Sequence, residues 1–169
     1  MDLLALIVGI VAIIAAIVSA IVSSVRNEAH HQATLIQELI KDISEITHNY
    51  FLDVSAVTSE SEEAADASNG KKAIAYESRC SMRCDLLEST LQLFVRRCSR
   101  YFLFDADINL FQCEFVELLG KLRDVLSAGA YSSSSAVQSM LAVDACLVRL
   151  HMTLNDYIGE RFRPIFESR

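Results

Sequence analysis

Arg26, Asn27, Glu28, Ala29, His30 and His31 form one short run. An arginine with a polar neighbour and a histidine five positions on can handle a phosphodiester. The guanidinium would stabilise the phosphate charge, and the imidazole, which titrates near neutral pH, would move the proton. The same run follows directly on a long apolar stretch, so its simpler reading is a juxtamembrane basic cluster against anionic headgroups. Cys80 and Cys84 lie one helical turn apart and supply two thiolates of the four ligands that zinc needs, with His48 and His151 as the only histidines available to add. They also fall on an apolar stripe, where a cysteine is a small core residue. Asp144, His151 and Asn155 occupy adjoining turns of one helical pattern, either as a polar network or as a core histidine with its partners. There is neither a nucleophile elbow nor a phosphate-binding glycine loop. These residues predict a protein that is not an enzyme and needs no metal or cofactor.

Charge points the same way. The 169-residue chain carries a net charge of -7, against a broad nucleic-acid surface. Lys71, Lys72, Arg79, Arg83, Arg96, Arg97 and Arg100 nevertheless make the second helical pattern basic, and Asp107, Glu114, Glu117 and Asp124 make the third acidic. The two are expected to complement one another. Arg79, Arg83, Arg96, Arg97 and Arg100 are also the candidate surface for a cytosolic protein or RNA. The five cysteines, Cys80, Cys84, Cys98, Cys113 and Cys146, sit in helix interiors, which fits a reducing compartment.

The element that would position everything else is the first one. Residues Leu3 to Val25 contain no charged residue and no Asn, Gln or His, and they account for a mean hydropathy of +0.31 in an otherwise charged chain. As a helix the stretch spans about 33 Å, against a hydrocarbon core of about 30 Å. In lipid the backbone must satisfy its own hydrogen bonds, so a single span is helical. A secretory signal peptide would open on a basic stretch and carry a shorter apolar core, whereas Met1 and Asp2 lead into a longer one. A pilin-like anchor would carry an acid within the stretch, and a buried core helix is rarely apolar on all sides for so long. Arg26 and Lys41 after the span against Asp2 before it place the C-terminal domain in the cytosol. Ala5, Gly9, Ala12, Ala16, Ser19 and Ser23 step by four and three along one face of the span. Lipid gives no hydrophobic gain for pairing helices. Small residues permit the close packing that drives association instead, and a repeat near 3.5 favours left-handed pairing. In a ring of such helices Arg26, His30 and His31 would form a polar collar at the membrane surface. Self-association into a homo-oligomer is therefore expected.

Beyond the span, residues 26–53 continue as helix into a bundle, with Ile36, Leu39, Ile40, Ile43, Ile46, Tyr50 and Phe51 at helical spacing. Residues 54–70, rich in Ser, Asp and Glu, read as an acidic connector. The bundle proper covers 71–169, with helices over about 71–103, 107–128 and 134–163. Their stripes are Tyr76 to Tyr101, Ile108 to Val125 and Ala136 to Tyr157, with Asp107 and Ser133 or Ser134 as N-caps and Pro164 near the end. The expected fold is all-α, an N-terminal transmembrane helix continuing into a cytosolic antiparallel four-helix bundle.

A single-span anchor that continues into a cytosolic helical bundle resembles the membrane accessory protein of Cas13b-type CRISPR antiphage systems. The likeness is one of architecture over the whole chain. It implies a degenerate bundle related to HEPN ribonucleases, assembly into a ring-shaped pore, and residence in a bacterial inner membrane. Arg26 and His31 form the one Arg-x-x-x-x-His pair here, beside the span and not within the bundle; Arg149 has Leu154 at the matching distance. Two functions follow as expectations: a pore-forming or membrane-perturbing accessory effector, or a membrane-tethered scaffold that recruits a cytosolic partner.

Overall fold

The computed structural model describes residues 3–57, 62–101, 106–130 and 136–161, with side chains over 6–54, 70–99, 107–128 and 137–161. All four described elements are helices: α1 (Leu3–Val57), α2 (Glu62–Tyr101), α3 (Ala106–Ala130) and α4 (Ala136–Arg161). No strand occurs among the described residues.

α1 is 55 residues long, and no proline or glycine interrupts it between Arg26 and Val57. At about 1.5 Å per residue it is about 80 Å from end to end. Its two parts differ in what surrounds them. From Leu6 to Ser24 every side chain is exposed. From Val25 burial becomes periodic: Val25, Ala29, Ala33, Ile36, Ile40, Ile43 and Thr47 step by four and three into the core. The residue types change at the same point, with Glu38, Lys41 and Glu45 facing solvent.

Residue pairs fix the direction of each helix. Asp42 meets Arg83 at 3.4 Å and Glu28 meets Arg97, so α2 runs antiparallel to α1. Arg123 bridges Asp85 at 2.8 Å and Glu88 at 2.9 Å, which ties α3 to α2. Arg161 reaches Asp107 at 2.9 Å, so the end of α4 stands beside the start of α3. Gln37 with Asn155 and His48 with Asp144 close the ring between α1 and α4, again antiparallel. Each helix thus packs on its neighbours in sequence, and α4 returns to α1.

The core runs the length of the packed region. Phe94, Phe115, Ile36, Ile43, Leu87, Leu91, Leu119, Leu122, Leu150 and Leu154 are fully enclosed. Toward the apolar end of α1, Phe111 stacks on Tyr157 at 4.3 Å between ring centres, and Phe94 meets both edge-on at 5.9 and 6.0 Å. Three helices are joined there by aromatic faces and edges, the geometry that ring quadrupoles prefer. At the other end Tyr50 stacks on Tyr76 at 4.1 Å. The buried Thr47 hydroxyl donates to the Ile43 carbonyl at 2.8 Å and sits 3.4 Å from the Tyr76 hydroxyl. Its own proton is committed to the carbonyl, so Tyr76 donates to it.

The acidic connector is shorter than its composition suggests. α1 runs to Val57 and α2 begins at Glu62, so most of 54–70 is helical; residues 58–61 lie outside the described residues. Ala64, Ala65 and Ala67 favour helix, and Glu62, Glu63 and Asp66 complement the positive end of the α2 dipole. Asp107 lies inside the first turn of α3 and not at its cap, where it also meets Arg161. Ser133, Ser134 and Pro164 lie outside the described residues.

Two substitutions test this packing by chemical denaturation. Phe94→Ala removes a fully enclosed ring and is expected to destabilise the bundle by about 3–5 kcal/mol. Gly70→Ala is expected to stabilise it by about 0.5–1 kcal/mol, because Gly70 is exposed within α2 and a Cβ there meets nothing within 4 Å.

Candidate membrane and assembly surfaces

The exposed part of α1 is the most unusual surface of the molecule. Leu6, Ile10, Ile13, Ile17 and Ile21 are each about half exposed or more, with Ile13 at 62%, and Val8, Val11, Val18 and Val22 stand between them. Burying one such side chain is worth about 1.5–3 kcal/mol. Left in water, the segment would cost on the order of 15 kcal/mol, as much as the whole stability of an ordinary domain. It is the one described helix long and apolar enough to cross a membrane.

Gly9, Ala12, Ala16, Ser19 and Ser23 all lie in this exposed part, on one face; the side chain of Ala5 lies outside those described. A Cβ added at Gly9 would meet nothing within 4 Å, so no contact within the chain requires the glycine. Turning about 100° per residue, this face points the same way as Gln37 and His48 farther along α1. Those are the residues that α4 covers: Gln37 Nε2 donates to Asn155 Oδ1 at 2.8 Å, and His48 Nε2 lies 3.0 and 3.1 Å from the two carboxylate oxygens of Asp144. The slim face of the span and α4 therefore stand on one side of the molecule.

α4 has a second stripe on that side. Val137, Leu141, Ala145, Val148 and Met152 step by four, four, three and four, and all are exposed. Sequence reasoning missed them because the core stripe of the same helix, Val143, Leu147, Leu150, Leu154 and Tyr157, has the stronger signal. A helix with two apolar faces buries only one of them inside a four-helix ring.

The candidate chemistry disperses. Arg26 is half-buried and His30 and His31 are exposed. α1 is unbroken here, so Arg26 and His31 project about 140° apart. Asp144 and Asn155 bind α1, while His151 is exposed and joins neither, so the expected row is not one network. Cys80 and Cys84 are buried, and no metal-binding cluster occurs among the described residues. Burial pushes the thiols of Cys80, Cys84 and Cys98 up to about 11, far from a ligating or nucleophilic thiolate at neutral pH.

The charge pairing across the bundle also differs from expectation. The basic residues of α2 turn to acids of α1, as Arg83–Asp42 and Arg97–Glu28. Between α2 and α3 the signs are reversed, with Arg123 of α3 held by Asp85 and Glu88 of α2. Of the arginines expected to take a partner, Arg83 and Arg97 are engaged within the chain, Arg79 and Arg96 are exposed, and the side chain of Arg100 lies outside those described. An open groove of about 530 Å³ between α1 and α2 has the apolar Leu35, Leu39 and Leu86 and the charged Glu38, Lys41, Asp42, Glu45 and Arg83 in its lining.

No protein-family model, curated protein or solved structure matches this chain.

Two measurements follow from the thiols. With a thiol reagent at pH 7, the exposed Cys113 is expected to react at once, and Cys80, Cys84 and Cys98 only on unfolding. Below pH about 9 those three are neutral in the folded and the unfolded chain alike. Above it the unfolded chain ionises first, since the folded thiols hold their protons to about 11. Tyr76 and Tyr157, also raised by burial, act in the same direction. Denaturation midpoints are expected to be flat up to pH 9 and to fall between pH 9 and 11.

Proposed function

We propose that this chain is a non-enzymatic, single-pass membrane protein that self-associates, and that the assembly perforates or perturbs the bilayer. Its apolar stretch, Leu3–Val25, lies in the membrane and its bundle in the cytosol. A bacterial inner membrane and a part in antiphage defence are the setting that the architectural resemblance implies. The observation that carries the proposal is the first half of α1, an apolar helix that no other described part of the chain covers.

Self-association draws on the other surfaces. The face through Gly9, Ala12, Ala16, Ser19 and Ser23 has no partner among the described residues, and it shares a side with the exposed stripe of α4. One neighbouring copy would pack against the span in lipid and against Val137, Leu141, Val148 and Met152 in water. Close packing drives the first contact and apolar burial the second.

A second reading is favoured by the same α4 stripe: a tether whose bundle recruits a different cytosolic protein, without permeability of its own. Two readouts separate them. For the assembly, mass photometry of the purified protein in detergent is expected to give a defined oligomer, and Gly9→Leu with Ala16→Leu is expected to return it to monomer. Dye leakage on overexpression is expected to fall with the same pair. A wild-type monomer would end the assembly reading, and leakage unchanged by the pair would end the pore.

A further inference from the structure

The helix pairings carry the basic end of α2 back to the start of the bundle. Asp42–Arg83 and Glu28–Arg97 are separated by the same number of residues on α1 and on α2, so the two helices run in one-to-one register. Arg96 then stands level with Ala29, and Arg100 level with Val25, where the exposed apolar part of α1 ends. Gln37–Asn155 and His48–Asp144 set the same register for α4, which places Arg161 level with His31. Arg26 is on α1 itself. Residues far apart in sequence thus arrive within about 10 Å of one plane. The headgroup layer of a bilayer leaflet is about 5–7 Å deep, and arginine stems are long enough to snorkel across the difference.

We propose that this end of the bundle is a binding site for anionic lipid headgroups, built by Arg26, Arg96, Arg97, Arg100 and Arg161. The proposal rests on the membrane reading of α1. Arg97 and Arg161 are each paired with a carboxylate, Glu28 and Asp107, and hold the site's framework. Arg26 and Arg96 have no ion-pair partner among the described residues and supply the positive field. Arg100 adds to it by its position on the helix. The opposite end holds Asp53 on α1 and Glu62, Glu63 and Asp66 at the start of α2, against Lys71 and Lys72. For a chain of net charge -7, an anionic surface would repel the bundle in any orientation that did not present the basic end. The candidate RNA or protein surface on α2 divides accordingly: by register Arg96, Arg97 and Arg100 lie at the level of this plane, and Arg79 lies well away from it.

The test uses the full chain in phosphatidylcholine bilayers containing a minority of phosphatidylglycerol, with spin-labelled versions of each lipid. The fraction of each label immobilised by the protein gives their relative association. Phosphatidylglycerol is expected to be favoured about fivefold for each unpaired arginine at the surface. The preference should shrink in 0.5 M salt and vanish in Arg96→Glu with Arg100→Glu. Arg79→Glu is expected to leave it intact. Equal association of the two lipids with the wild type overturns the proposal, as does loss of the preference in Arg79→Glu, which would signify a diffuse charge effect. Displacement of the preference by stoichiometric single-stranded RNA overturns it in favour of a nucleic-acid surface. Flotation after carbonate extraction distinguishes the two levels of the reading. A wild type that floats without lipid preference removes only the headgroup site, whereas one that fails to float removes the membrane reading and this site together.

Discussion

One helix, α1, runs without a break from an apolar part that the other described residues leave uncovered into a part packed within the bundle, and the rest of the molecule is arranged around that passage. Among the described residues α1 has no partner from Leu6 to Ser24 and a continuous one from Val25. A helix can make this change because its backbone bonds are satisfied within itself, whatever surrounds it. The side chains alone must change, and they do so within about one turn: Val22, Ser23 and Ser24 are exposed, Val25 is enclosed, and Arg26, Asn27 and Glu28 are polar. Because the helix is unbroken, rotation and height are transmitted along it. Small residues in the apolar half and the α4 contacts in the packed half have a fixed angular relation. The pairings of α2 and α4 on α1 fix which residues stand at the boundary.

That constraint explains how charge is used. In a long antiparallel bundle, ion pairs set the register more than they add stability, since partly exposed pairs contribute about 1 kcal/mol or less. Arg83–Asp42, Arg123–Asp85 and Arg161–Asp107 sit at different heights on different helix pairs. A slip of one turn would break each of them and would also separate Phe94, Phe111 and Tyr157. The neutral, proton-retaining thiols of Cys80, Cys84 and Cys98 belong to the same core, where a small soft side chain fills space between leucines and aromatics.

The sequence stripes were legible where one face of a helix is much more apolar than the others. Tyr76, Cys80, Cys84, Leu87, Leu91, Phe94 and Cys98 read as one stripe and are all buried; so are Ile108, Phe111, Phe115, Leu118 and Leu122. Ile46, Tyr50 and Val125 lie at the stripe edges and are only partly enclosed. The opening turns of α2 were hidden because Ser, Asp and Glu suggest a loop by composition, while Glu, Ala and Asp at a helix start also suit the helix dipole. His48–Asp144 and Gln37–Asn155 join residues about a hundred positions apart. No local pattern reveals such pairs, because they depend on which helices become neighbours. The second stripe of α4 was present in the spacing and went unread beside a stronger one.

The central claim is that the leading half of α1 is surrounded by lipid while the bundle is in water. The chain contains no tryptophan, so one introduced at Val11 is the only indole in the protein. In bilayers carrying bromine on the acyl chains, Val11→Trp is expected to emit at short wavelength and to be strongly quenched. Leu52→Trp, at a position 64% exposed on the far end of the bundle, is expected to emit as in water and to be unaffected. Water-like, unquenched emission from Val11→Trp would contradict the account.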